Sequence, residues 1–234
     1  MKIIAGNWKM NGSRDSLVHM VTALQDIDSK NTVILCVPYT MLGVDGGRVA
    51  IGAQDASAHD HGAYTGEVSA NMIAATGAKY VIVGHSERRQ YHGETNDIVR
   101  AKAAAVIAAG LTPIICVGET MDEKQAGKTM AIIESGVRES VPNDANNNVI
   151  VAYEPRWAIG AGLTPTDSEI ADAHKLIADT LTSMGLGGTP VLYGASVKGT
   201  NAAQIMSIPN VDGVLVGGAS LKPDDFIPII TSVK

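Results

Sequence analysis

The chain has 234 residues, 45% of them hydrophobic and 18% charged, with 25 glycines and few aromatics. That much apolar material excludes disorder. No apolar run reaches the roughly 18 residues of a membrane helix, and the start MKIIAGNWK lacks a secretory apolar region, which predicts a cytoplasmic protein. The formal charge of −6 argues against a nucleic-acid surface, and any site for an anion has to be built locally.

Short β-branched runs alternate with longer amphipathic stretches. Strands are predicted over residues 2–9, 32–37, 50–54, 80–84, 112–117, 149–154, 190–194 and 213–216. Helices are predicted over 14–27, 70–76, 96–109, 122–139, 167–184, 201–207 and 223–231, with a weaker one over 39–44. Thr166-Asp167-Ser168-Glu169 reads as a capping box, and Gly110 and Gly185 end helical patterns as glycines beyond a C-cap do. The two cysteines, Cys36 and Cys116, fall inside apolar strands and read as core residues.

Nearly continuous apolar strands suit a parallel sheet covered on both faces. Eight strand–helix units without a linker match a single α/β domain over residues 1–234, an eight-stranded parallel (β/α)8 barrel, with a doubly wound sheet as the rival. The polar residues favour the barrel. Period-two alternation puts Ile3, Ala5, Asn7 and Lys9 on one face of the first strand, polar members last. Strands four, six, seven and eight also end in chemistry, at His85-Ser86-Glu87, Glu154, Ala195-Ser196 and Gly217-Gly218. A parallel barrel gathers all those ends at one mouth, where such enzymes keep their active sites.

Glu154 follows the apolar run VIVAY and precedes a glycine-bearing segment, 156–162, able to fold over a ligand. Excluding water there would raise the basicity of a nearby carboxylate. His85 precedes a possible short helical turn whose positive end would keep its ring neutral. Lys9 beside Asn7 supplies a fixed cation for an anion. Glycines around Ser196 and at Gly217 and Gly218 let backbone N–H groups approach a phosphate. Three other patterns carry no chemistry. Gly127-Lys128-Thr129 lacks the first glycine of a phosphate loop. Gly160-Ala161-Gly162 lacks the third glycine of a dinucleotide fingerprint, and His59-Asp60-His61 has no further ligand at a metal-binding spacing.

Beyond these residues, several stretches run in one order along essentially the whole chain. They include Gly6-Asn7-Trp8-Lys9-Met10-Asn11-Gly12, Val83-Gly84-His85-Ser86-Glu87-Arg88-Arg89, Ala152-Tyr153-Glu154-Pro155 and Trp157-Ala158-Ile159-Gly160. Tyr193-Gly194, Ser196-Val197-Lys198 and Val216-Gly217-Gly218-Ala219-Ser220-Leu221 complete the set. In these the chain resembles the triosephosphate isomerase family. The resemblance implies a TIM barrel that interconverts dihydroxyacetone phosphate and D-glyceraldehyde 3-phosphate without cofactor or metal. A carboxylate base paired with a neutral imidazole under a water-excluding loop is that family's established chemistry. By the match, Glu154 is the base, His85 the electrophile, Lys9 and Asn7 flank the enediolate, and Glu87 supports Lys9. Gly160, Ser196, Gly217 and Gly218 would hold the phosphate. The loop from Gln54 to Glu67, with Thr65, would enter a second copy of the chain in a homodimer.

Three residues depart from the family pattern: Arg156 stands where valine is usual, Leu163 where a basic residue is frequent, and Ala195 where a glycine precedes Ser196. A Cβ at Ala195 would cost roughly 1–2 kcal/mol if closure of the segment needs positive φ there. Two rivals stay open on the residues alone. One is a Schiff-base aldolase using Lys9; the other is a catalytically silent barrel retained as a scaffold.

Overall fold

The computed structural model describes residues 1–146, 148–159 and 163–233. Along it run β1 (Ile3–Asn7), α1 (Arg14–Leu24), β2 (Thr32–Cys36), β3 (Ala50–Ala53), α2 (Ala70–Ala75), β4 (Tyr80–Val83) and α3 (Ser86–His92). There follow α4 (Asn96–Ala108), β5 (Thr112–Val117), α5 (Met121–Gln125), α6 (Thr129–Ser140), β6 (Ile150–Tyr153), α7 (Asp167–Ser183), β7 (Val191–Tyr193), α8 (Ala202–Ser207), β8 (Gly213–Val216) and α9 (Pro223–Ile230). The strands close into a parallel barrel in chain order, β8 pairing back onto β1 from Ile3 opposite Gly213 to Gly6 opposite Val216.

Two apolar layers hold the barrel. Inside it pack Ala5, Ile34, Cys36, Ile82, Ile114 and Cys116 with their neighbours, all almost fully buried. Both cysteines are thus core residues, and burial pushes the Cys36 thiol up to about 12, far from a reactive thiolate. The alternate strand residues, among them Ile4, Leu35, Val81, Val83 and Val151, face outward into the layer beneath the helices. This double burial is why the strands read as unbroken apolar runs.

The elements differ from the sequence reading where polar chemistry interrupts them. Several strands stop short of their predicted ends, releasing Lys9, Gln54, Gly84, Glu154 and Gly194 into the loops at the mouth. Lys9 in particular leaves the strand by a left-handed turn, φ 53°, so this turn and not period-two alternation sets its direction. The stretch 122–139 is two helices: Gly127, at φ 67°, ends α5 before α6 begins. Residues 39–44 contain only a 3₁₀ turn, Tyr39–Met41. The turn expected after His85 is a full helix, α3, missed because Ser86 is its one buried residue and no apolar stripe marks it. Thr166 caps α7 in the predicted box, with Glu169 returning the bond to the Thr166 N–H.

The segment after β3 runs from Gln54 to a bridge between Ser57 and Ser69 that closes its base. Residues 59–67 within it, Thr65 included, are exposed, and His59 stacks on Tyr64 at 3.9 Å. His61 pairs with Asp60, and no group of three or more metal-ligating side chains occurs among the described residues. No described helix is long and apolar enough to cross a membrane.

Candidate active site

Gly84 turns the chain out of β4 with φ 66°, where a Cβ would lie 2.6 Å from Val99 Cγ2, so only glycine delivers His85 to the mouth. His85 then caps α3: its Nδ1 accepts the Glu87 backbone N–H at 3.2 Å. Across the mouth, β6 releases Glu154. One carboxylate oxygen accepts the Ser86 N–H at 2.9 Å, and the other lies 3.0 Å from His85 Nε2. Glu154 is 2% exposed and His85 6%. Gly194, at the end of β7, leaves room for this carboxylate, since a Cβ there would lie 3.0 Å from Glu154 Cγ.

The protonation of the pair follows from the bonds. A ring nitrogen accepting a backbone N–H has no proton, which puts the His85 proton on Nε2, pointing at Glu154. Burial pushes the imidazole pKa down, but the Glu154 carboxylate and its hydrogen bond, together with Glu87, outweigh it and hold the pKa above the ordinary histidine value. At Nδ1 the Glu87 N–H and the positive end of α3 oppose a second proton, while the Glu87 carboxylate, 3.6 Å away, favours one. Burial pushes the Glu154 carboxyl up, but the His85 contact and the Ser86 N–H hold it below the ordinary carboxylate range.

Asn7 and Lys9 bring β1 to the same cleft. The Asn7 side-chain oxygen accepts the Lys9 N–H at 3.0 Å, leaving its NH₂ end for a ligand. Lys9 Nζ donates to Glu87 Oε1 at 2.6 Å. This ion pair engages Lys9 Nζ with a carboxylate instead of leaving it free to attack a carbonyl as a Schiff-base enzyme requires. A left-handed lysine costs of order 1–3 kcal/mol, and such strain tends to sit at functional sites. On the far side, Ser196, Gly217 and Gly218 line the cleft, whose volume is about 440 Å³ and which Asn7, Lys9, His85, Glu87 and Glu154 also line. Every predicted site residue within the described part of the chain therefore meets in one cleft, while Gly160 lies outside the described residues.

Glu119 escaped the sequence reading. It is fully buried at the end of β5, accepts Trp157 Nε1 at 2.8 Å and the Tyr153 hydroxyl at 3.3 Å, and so ties residues on either side of Glu154. Burial pushes its carboxyl up, and the donors from Trp157 and Tyr153 resist that. The signal was present, a polar residue ending an apolar strand, as at Glu154. Of the three departures, Arg156 donates its backbone N–H to Glu119 O, Leu163 is exposed, and Ala195 is not among the left-handed residues, so its Cβ is unstrained in this conformation.

Comparison with known proteins agrees with this geometry. The model of the family described as triosephosphate isomerase matches residues 2–233. A relative of that name from Rhizobium meliloti (strain 1021) is 47% identical over 97% of this chain and 94% of its own. One from Ruegeria sp. (strain TM1040) is 46% identical over 99% and 98%. The crystal structure of triosephosphate isomerase from Bartonella henselae superposes with a TM-score of 0.90 at 39% identity, covering 99% of this chain and 98% of that one. With the closed parallel barrel and a carboxylate–imidazole pair at its mouth, these matches establish that the chain belongs to the triosephosphate isomerase family.

Proposed function

We propose that this protein interconverts dihydroxyacetone phosphate and D-glyceraldehyde 3-phosphate, a step of glycolysis and gluconeogenesis, by proton transfer through an enediolate. The observation that carries the reading is the 3.0 Å approach of His85 Nε2 to Glu154 Oε1 beside Lys9 in the cleft. A ketone carbonyl entering between them takes the Nε2–H as its hydrogen-bond donor. Glu154, freed from His85 and Ser86, loses the donors that keep its pKa low and becomes a stronger base in a water-poor site. It removes a proton from the carbon bearing the hydroxyl, and negative charge develops on the carbonyl oxygen. His85, the Asn7 NH₂ group and the Lys9 ammonium stabilise that charge. Proton transfer from the hydroxyl oxygen to the former carbonyl oxygen through His85 Nε2, and return of the abstracted proton to the neighbouring carbon, give the aldehyde and a hydroxyl beside it. The oxidation change is internal to the substrate, so the step needs no redox cofactor.

Glu87 fixes Lys9 and, through its backbone N–H, the His85 tautomer. Backbone N–H groups at Ser196, Gly217 and Gly218, with Gly160, hold the phosphate. Residues 1–234 act as one domain, a reading supported by the single closed sheet, and the glycolytic step proposed for it is the ground for reading it as cytoplasmic. The protein works as a homodimer. Its support is the exposed segment containing Thr65, together with a second cleft of about 220 Å³, lined by Asn7, Lys9, Met10, Tyr39, His85 and others, that opens beside the site. Sedimentation at micromolar concentration should give twice the chain mass.

A coupled dehydrogenase assay with both triose phosphates tests the reaction. Turnover is expected in each direction, and Glu154→Gln should lower it about 10²–10⁴-fold while the chain stays folded. An unchanged rate would remove Glu154 as the base.

A further inference from the structure

The cleft's side-chain charges do not by themselves favour an anion. Lys9 and Lys198 line it, and so do Glu87 and Glu154, which cancel them. Lys9 is already bound to Glu87 at 2.6 Å. The chain as a whole carries −6, so the surrounding field also opposes a phosphate dianion. Lys198 differs from the other three. It is exposed, and among the described residues its ammonium has no carboxylate within ion-pair distance.

The segment carrying Lys198 is held in place. Asn201 Oδ1 accepts the Lys198 N–H at 2.8 Å, while Asn201 Nδ2 donates to Ser196 O at 3.0 Å. The Asn201 N–H also bonds Lys198 O, at 3.1 Å. One side chain therefore staples Ser196 and Lys198 into a single turn, two residues from each other at the rim of the phosphate side of the cleft. The sequence reading took Ser196 from this turn and left Lys198 without a role.

We infer that Lys198 is a substrate-binding residue at the cleft rim, whose ammonium draws in and holds the phosphate dianion that the backbone N–H groups cradle. The inference rests on the triose phosphate reading above. Lys9 serves the reacting end, its charge shared with Glu87, and Lys198 supplies the uncompensated positive charge. Without Lys198 the lining side chains would sum to a negative charge, and an incoming dianion would meet repulsion before reaching any N–H donor. Because the ammonium is solvated, its contribution belongs to capture and retention of substrate, not to the transition state. It therefore acts on KM and on association, leaving kcat alone.

The test compares wild type with Lys198→Met and Lys198→Arg. Lys198→Met should raise KM, and the inhibition constant of inorganic phosphate, by about three- to tenfold with kcat within about twofold. It should also flatten the fall of kcat/KM with ionic strength. Lys198→Arg should restore KM and the salt dependence. Unaltered KM, phosphate inhibition and salt slope in Lys198→Met would overturn the assignment. So would a lowered kcat and melting temperature that Lys198→Arg fails to rescue, since that pattern marks a structural residue. If Lys198→Met misfolds, Lys198→Gln gives the same readouts. Failure of the isomerase reading would appear separately, as the absence of turnover in wild type.

Discussion

His85 Nε2 and Glu154 Oε1 stand 3.0 Å apart at the ends of β4 and β6, so the two groups proposed as electrophile and base meet each other before substrate arrives. This contact lowers the Glu154 pKa against the upward push of burial. Replacing His85 by Ala should therefore do two separable things. Turnover should fall about 10²–10³-fold through loss of the carbonyl donor. The acidic limb of the kcat/KM profile should move to higher pH, because burial then acts on Glu154 with less opposition. A pH–rate profile of the variant checks both, and an acidic limb in the wild-type position would contradict the coupling.

The base of the segment after β3 rests on a set of charges in which Lys102 and Glu94 are buried and Arg88 and Asp55 half-buried. Arg88 reaches Glu94 Oε1 at 2.5 Å and Asp55 Oδ2 at 2.9 Å, and Lys102 reaches the same two carboxylates at 2.6 and 2.8 Å. Lys102→Met leaves two carboxylates with one cation and should cost about 3–5 kcal/mol. Adding Glu94→Leu should recover part of the loss, because the stranded charge is removed with its partner. Urea unfolding of the two variants checks this, and a double variant less stable than Lys102→Met would count against it.

His174 on α7 is wholly buried, with Nδ1 on Asn210 O at 3.0 Å and no partner on Nε2 among the described residues. Burial lowers its pKa to about 4. The unfolded chain, with an ordinary histidine near 6.5, binds more protons between those values. Stability is therefore complete above about pH 6.5 and is lost as pH falls towards 4, by roughly 3 kcal/mol in all. Unfolding at pH 7.5 and 4.5, at one protein concentration, should reveal this slope. His174→Gln should flatten it, and equal slopes in both proteins would exclude His174 as its source.

The barrel was legible because every strand is buried on both faces, so its β-branched run stood out against the amphipathic helices. Asn7, His85 and Glu154 were legible because polar residues closed those runs. Helix α3 was not, since SERRQYH buries only Ser86 and owes its place to the His85 cap. Nor was the break at Gly127, whose flanks DEKQA and KTM read as one helix-favouring stretch that only the positive φ interrupts. Asn201 and the Arg88–Glu94–Lys102–Asp55 set depend on partners distant along the chain or on loop geometry, and local pattern carries no trace of either. Lys9 does reach the cleft beside Asn7, but by a left-handed residue that ends the alternation from which its face was inferred.

The proton's route can be followed directly. Dihydroxyacetone phosphate incubated with the protein in deuterium oxide should yield glyceraldehyde 3-phosphate carrying deuterium at carbon 2, seen by NMR, because a carboxylate holding the proton exchanges it with solvent. Glu154→Gln should slow formation of both the product and the label by the same factor of about 10²–10⁴ at equal protein concentration. Label-free product from the wild type, or labelled product formed at an undiminished rate by Glu154→Gln, would contradict proton transfer by Glu154.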